Sequence, residues 1–175
     1  MDSDKVLKSI KQTSGSLPCS HRIGLGNDLH RLATGHALVL GGVQIPSRKG
    51  AVGHSDGDAL IHALCDALLG AAGLGDIGQH FPDASAKWRG ASSISFLLHV
   101  RKLLDGAGFQ IINLDATVGL ERPKLAPYIP EMREKLAEAL GIRAGQISVK
   151  AKTGEGIGAV GQGKAVRADA VALII

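Results

Sequence analysis

Aromatic side chains are scarce in this 175-residue chain: three phenylalanines, one tryptophan and one tyrosine. A platform that stacks the bases of single-stranded nucleic acid needs more. Cysteine is as sparse, with Cys19 and Cys65 alone, so no disulfide framework exists. Cys65 lies in an apolar helical run and reads as a buried free thiol. No apolar stretch reaches the length of a membrane span, about 20 residues, and residues 1–20 lack the apolar region of a signal peptide. No block of like charge stands out. The net charge of +4 suits a small anionic substrate, and equally suits nothing in particular. These absences leave no membrane or nucleic-acid partner, and cytoplasm as the default location.

Glycine is plentiful, at 24 residues, and 45% of the chain is hydrophobic. The core must therefore be built from Ala, Leu, Ile and Val, with glycines serving close backbone approach and ligand-facing loops. A chain of this length forms one domain. Val6, Leu7 and Ile10 suggest at most one helical turn before Gly15, Ser16 and Pro18. Residues 1–20 thus read as a flexible extension and 21–175 as a single catalytic domain.

Ile23, Leu25 and Leu29 alternate with Gly24, Gly26, Asp28 and His30, a strand with one face predicted to be buried. Val39-Leu40, Gly41-Gly42 and Val43 to Ile45 suggest a short hairpin. Ser55 and Asp58 form a capping-box pattern before a helix whose apolar stripe is Ile61, Leu64, Leu68 and Ala71. Ser92 or Ser93 opens a second helix, and Pro130 sits in the first turn of a third, with Met132, Leu136 and Leu140 facing inward. Ile112, Leu114, Ala116 and Val118 alternate as a half-buried strand. Ile147 to Ala151 and Val166 to Ile175 read as two more, with Ala168, Ala170 and Ala172 permitting close approach of another layer. Strands alternating with helices, without an internal repeat, predict an α/β (α+β two-layer) fold: a mixed sheet with helices on one face.

The chemistry concentrates near the start. Asp28 and His30 stand two apart on the predicted strand, so both point to one side and can grip one ion. His62, on the first helix, supplies a third donor and leaves a fourth tetrahedral position open, as in catalytic zinc sites. His62 shares its helix face with Asp58 and Asp66, either of which could orient its second nitrogen. His54 and Ser55 stand at the same helix start, where unpaired N–H groups favour anions. Gly154 to Gly163 holds G-x-G-x-x-G at Gly156, Gly158 and Gly161, but β-patterned residues follow it, which excludes a dinucleotide fingerprint. Two readings remain there: a flexible hairpin loop, or a loop whose N–H groups approach phosphate. His21, His36, His80 and His99 read as structural.

R-I-G-L-G-N-D-L-H, G-H-S-D-G-D-A-L-I-H-A-L-C-D-A-L-L-G, G-D-I-G, P-K-L-A-P-Y-I-P-E-M and V-K-A-K-T-G-E-G-I-G occur in that order. From about Arg22 to the C-terminus the chain resembles the 2-C-methyl-D-erythritol 2,4-cyclodiphosphate synthases of the non-mevalonate isoprenoid pathway. The resemblance implies a phosphorus–oxygen lyase that assembles as a homotrimer, with active sites between subunits. It implies conversion of 4-diphosphocytidyl-2-C-methyl-D-erythritol 2-phosphate to the cyclic diphosphate, with release of CMP. Asp28, His30 and His62 would hold zinc, and Glu155 magnesium or manganese with the substrate diphosphate. His54 and Thr153 would be catalytic, steadying the transition state. Ser55, Asp76, Ile77, Gly78, Phe81, Pro82, Asp83, Ala84 and Ser85 would line the phosphate and methylerythritol region. The cytidine and diphosphate end would meet Leu120, Glu121, Arg122, Pro123, Lys124, Leu125 and Ala126, with Lys152, Gly154, Ala159 and Gln162 nearby. The chain departs from the family pattern at Asn27, at Ala84-Ser85, at Ala159 and at Gln162 to Ala165, and keeps the three zinc donors. The donor set alone also fits a non-haem iron oxygenase, and a non-catalytic trimeric binding protein with a vestigial metal site is a further alternative.

Overall fold

The computed structural model describes residues 20–82, 88 and 90–175. The N-terminal extension expected before residue 20, and Asp83, Ala84 and Ser85 of the expected substrate region, lie outside the described residues. Strands β1 (Arg22–Thr34), β4 (Lys49–Ala51), β5 (Ile111–Gly119), β6 (Ile147–Lys152) and β7 (Ala165–Ile174) form one sheet in the order β4-β1-β7-β5-β6. β5 and β6 pair in parallel and the other neighbours antiparallel, so the sheet is mixed, as predicted. β2 (Leu38–Leu40) and β3 (Val43–Ile45) make the separate hairpin read from Gly41-Gly42.

Helix α1 (Ala59–Ala72) packs across β1 and β7. Its Leu60, Ile61, Leu64, Leu68 and Leu69 are fully buried. Ala168, Ala170 and Ala172 of β7 are buried too, small enough to admit the helix. α2 (Ile77–His80) is a single turn, α3 (Ser93–Ala107) follows, and α4 (Ile129–Leu140) buries Met132, Leu136 and Leu140. A last helical turn, α5 (Gly158–Gly161), precedes β7.

β1 is a strand with the predicted alternation, but its two faces are exchanged. Ile23, Leu25 and Leu29 are 73%, 70% and 60% exposed, while Gly24 and Gly26 are buried against α1. The physical reason is the absent Cβ: one at Gly24 would lie 1.9 Å from the Ala67 carbonyl oxygen. Two glycines let the backbones of strand and helix touch, and the apolar face is left outward.

Three further expectations need correction. Ile112 falls out of phase because the β5–β7 register shifts between Ile111 and Asn113, and its side chain is exposed. The α1 N-cap is Asp58, not Ser55: the wholly buried Asp58 carboxylate accepts the N–H of Ile61 at 3.0 Å and those of Gly41 and Gly42 at 2.9 and 2.7 Å. The glycine-rich segment is no hairpin, since β5 stands between β6 and β7. It is folded tightly, with a Cβ at Gly154 excluded by the Gly161 nitrogen at 2.4 Å.

Candidate active site

β1 and α1 together build the centre of the site. Gly26 holds the strand against α1, and two residues later Asp28 meets His62 from the helix. Asp28 Oδ2 lies 2.9 Å from His30 Nε2 and 3.0 Å from His62 Nδ1, and the two nitrogens are 3.1 Å apart. Zinc bonds of about 2.0–2.1 Å imply tetrahedral edges of about 3.3 Å, so this triangle is only a few tenths of an ångström tighter than a zinc-bound one. The donor types fit as well, two imidazoles and one carboxylate being common in catalytic zinc sites. No other cluster of three such side chains occurs among the described residues.

Each donor is held by its surroundings. His30 Nδ1 lies 3.1 Å from the Val52 carbonyl, to which it can only donate, so Nε2 is left for an ion. His62 Nε2 lies 2.9 Å from Ser93 Oγ and 3.3 Å from Ser55 Oγ. Asp58 and Asp66, the predicted orienting partners, are engaged elsewhere. Asp58 caps α1, and Asp66 accepts the Ile77 N–H at 2.7 Å, because the helix start folds Asp58 toward the β2–β3 turn. Burial would raise the Asp28 carboxyl, yet hydrogen bonds from His30 and His62 hold it well below the usual carboxylate range. The Asp28 hydrogen bond in turn raises His30, against the opposing effect of burial.

The triangle opens into a cavity of about 560 Å³ that is also lined by His54, Ser55, Ile77, Gly78 and Phe81. Phe81, Trp88 and Phe96 form its apolar wall, with Phe81 stacked on Phe96 at 4.4 Å and Phe96 stacked on His62 at 5.9 Å. Trp88 and Phe96 carried no signal in the sequence that distinguished them from core residues. Neither did Asp56 and Ser93, although Asp56 stands within the H-S-D-G-D motif. Asp76 sits beside this region at the start of α2, where it caps Gln79 at 3.0 Å; Pro82 is exposed after Phe81.

A second cavity of about 940 Å³ gathers Glu121, Arg122, Pro123, Lys124 and Gln162 with Arg48 and Lys49. Leu120 and Leu125 have buried side chains, and the Leu120 N–H is already given to the Lys152 carbonyl at 2.9 Å. Ala126 opens a single 3-10 turn, and Ala159 lies on α5. The Glu121 carboxylate accepts the Gly154 N–H at 3.0 Å, which ties this loop to Thr153 and Glu155. Thr153 Oγ1 donates to Glu155, whose backbone is left-handed at φ 49°, a conformation that non-glycine residues adopt rarely and mostly in turns and sites. The two cavities share no lining residue. Thr153 and Glu155 line neither of them, so within one chain the Asp28–His30–His62 triangle and this loop share no cavity.

The chain has close relatives among known proteins and solved structures. A 2-C-methyl-D-erythritol 2,4-cyclodiphosphate synthase of Desulfosudis oleivorans is 55% identical over 154 residues, 88% of this chain and 92% of that protein. One of Clostridium perfringens is 51% identical over 154 residues, 88% of this chain and 99% of the other. A solved 2C-methyl-D-erythritol-2,4-cyclodiphosphate synthase with bound CDP superposes with a TM-score of 0.82 at 42% identity, covering 88% of this chain and all of that one. The YgbB family model matches residues 21–175. This chain belongs to the YgbB family, that of the 2-C-methyl-D-erythritol 2,4-cyclodiphosphate synthases.

Proposed function

We propose that the chain converts 4-diphosphocytidyl-2-C-methyl-D-erythritol 2-phosphate to 2-C-methyl-D-erythritol 2,4-cyclodiphosphate and CMP, with residues 21–175 as the catalytic unit. The observation that carries this reading is the Asp28–His30–His62 triangle, open to a cavity flanked by His54 and Ser55. The oxygenase and vestigial-site alternatives find no support among the relatives.

The attacking group is a phosphate monoester with about −1.5 to −2 charge at pH 7, so it needs no general base. Repulsion between two phosphates, and the entropy of bringing them into line, oppose the reaction. Zinc at Asp28, His30 and His62, and magnesium or manganese at Glu155, would supply charge neutralisation. The chain's own groups hold the geometry: His54 and Ser55 beside the zinc donors, and Thr153 beside Glu155. Ile77, Gly78 and Phe81 offer the methylerythritol a partly apolar seat, with Asp76 at its edge. Glu121 to Lys124 and Gln162 line the second cavity, a basic and polar rim that suits a cytidine diphosphate, and Lys152 would join them there.

The separation of the two cavities within one chain supports assembly as a homotrimer, in which the second cavity of one subunit completes the first cavity of its neighbour. The exposed Ile23, Leu25 and Leu29 supply an apolar face for that contact.

Incubating the purified protein with the cytidyl substrate and following phosphorus resonances tests the activity. CMP and a cyclic diphosphate appear with divalent ions, and neither appears after chelation or with His62→Ala. Substrate persisting unchanged in the metal-loaded wild type rejects the proposal.

A further inference from the structure

A chain of hydrogen bonds runs from Asp56 through Ser93 to His62. Ser93 is fully buried at the start of α3. Its hydroxyl donates to Asp56 Oδ1, and its backbone N–H donates to Asp56 Oδ2 at 2.9 Å. A carboxylate offers only acceptors and a serine has a single hydroxyl proton. With that proton directed at Asp56, Ser93 Oγ presents lone pairs to His62 Nε2, 2.9 Å away. His62 Nε2 must then carry a proton. Nδ1 is the nitrogen turned toward Asp28 and His30, where its lone pair would go to an ion.

Ser55 does not fix the ring in the same way. Its oxygen is 3.3 Å from the same Nε2 and also accepts the Gly57 N–H at 3.3 Å, which makes it the weaker partner. The backbone around Asp56 fastens the His54 loop to the segment before α3: Asp56 N–H reaches the Ala91 carbonyl at 3.2 Å, and Gly90 N–H reaches the His54 carbonyl at 2.8 Å.

We infer that Asp56 and Ser93 are positioning residues that fix the tautomer and ring plane of His62, and through them its hold on the metal. The inference rests on the metal reading proposed above. Partners of this kind, acting on the far nitrogen of a ligating histidine, typically change metal affinity by about 10–100-fold. Ser93→Ala removes the relay at its middle, and Asp56→Asn alters its charged end without changing its size. Ser92→Ala is the control, because Ser92 makes no side-chain capping bond to α3.

The test measures zinc affinity of the full-length protein by competition with a chromophoric chelator, and reads the ring nitrogens of His62 by 15N NMR. Ser93→Ala binds zinc at least about 10-fold more weakly than wild type and Ser92→Ala. In the wild type, His62 Nε2 carries a slowly exchanging proton both with zinc and after its removal; in Ser93→Ala that proton exchanges freely. Should Ser93→Ala fail to fold, Asp56→Asn gives the same weakening. Equal zinc affinity in wild type and folded variants overturns the inference, as does an unprotonated Nε2 in the wild type. A wild type that binds no zinc rejects the metal reading instead, and the ring-proton measurement on metal-free protein still decides the relay.

Discussion

Gly26 of β1 and Ala63 of α1 meet backbone to backbone, so closely that a Cβ on Gly26 would stand 2.0 Å from the Ala63 carbonyl oxygen. Asp28 lies two residues beyond the glycine, and His62 is the residue before Ala63. The distance between carboxylate and imidazole is therefore set by a contact that only glycine allows. Gly26→Ala must drive strand and helix apart. It is expected to lower stability by about 3 kcal/mol and to reduce zinc content in whatever fraction folds. Gly70→Ala on the same helix meets nothing within 4 Å, and should stabilise by about 0.5–1 kcal/mol, the helix-propensity difference. Urea unfolding of both, with zinc analysis of the folded protein, separates tight contact from a general intolerance of alanine.

That contact also shows what sequence pattern could and could not reveal. The period of β1 placed Asp28 and His30 on one side, and the structure keeps them there. The same period could not say which face turns inward, since apolar residues suit a subunit interface as well as a core. Ile23, Leu25 and Leu29 carried the hydrophobic signal, yet the glycine face is the one covered. His62 was legible as a donor, but its orienting partner was not. Asp58 and Asp66 are helix neighbours and could be read by spacing, whereas Ser93 reaches the ring from a separate helix. Tertiary contacts of that kind leave no periodic trace. Thr153 and Glu155 were found through the resemblance alone, for a glycine-rich run by itself is equally a loop.

The opposed shifts of Asp28 and His30 predict opposite pH responses with and without metal. Asp28 is held low in the folded state, so its contribution is present above its unfolded value of about 3.9 and is lost as pH falls through the folded one. His30 is raised, so its contribution is complete below about 6.5 and is lost as pH rises through the folded value. In metal-free protein the cluster stabilises most between about pH 4 and 6.5. Zinc must displace the His30 proton, so its stabilisation grows as pH rises past that raised value. Thermal melts with zinc and with chelator at pH 5.5 and 8 should show the larger zinc-dependent shift at pH 8. A larger shift at pH 5.5 would contradict the cluster as an ion site.

Asp58 carries a structural role that its place in the H-S-D-G-D motif conceals. Its carboxylate is buried among the N–H groups of Gly41, Gly42 and Ile61. Asp58→Ala leaves three donors unpaired, at a cost of about 1–3 kcal/mol for each that water cannot reach. A net loss of about 3–5 kcal/mol is expected once relaxation is allowed. Asp58→Asn keeps one acceptor oxygen but sets an amide N–H against a backbone N–H, and should fall between. Zinc bound per folded chain should stay near wild type in Asp58→Asn. That outcome distinguishes Asp58, which holds the helix start, from Asp56, which acts on His62.

Leu25 pairs in register with Val171 across β1 and β7, and the two side chains are 70% and 42% exposed. With Ile23 and Leu29 they form an apolar stripe that a lone chain would leave in water. If three copies bury that stripe, the wild type sediments at about three times 18.1 kDa. Leu25→Lys puts an unpaired ammonium into the contact, which costs several kcal/mol, and should leave single chains. If the second cavity of a neighbour completes each metal triangle, Leu25→Lys should lose CMP release while zinc content and helix signal stay near wild type. Analytical ultracentrifugation and phosphorus NMR on the same samples decide it. A fully active single chain would show that both cavities serve one substrate without a partner.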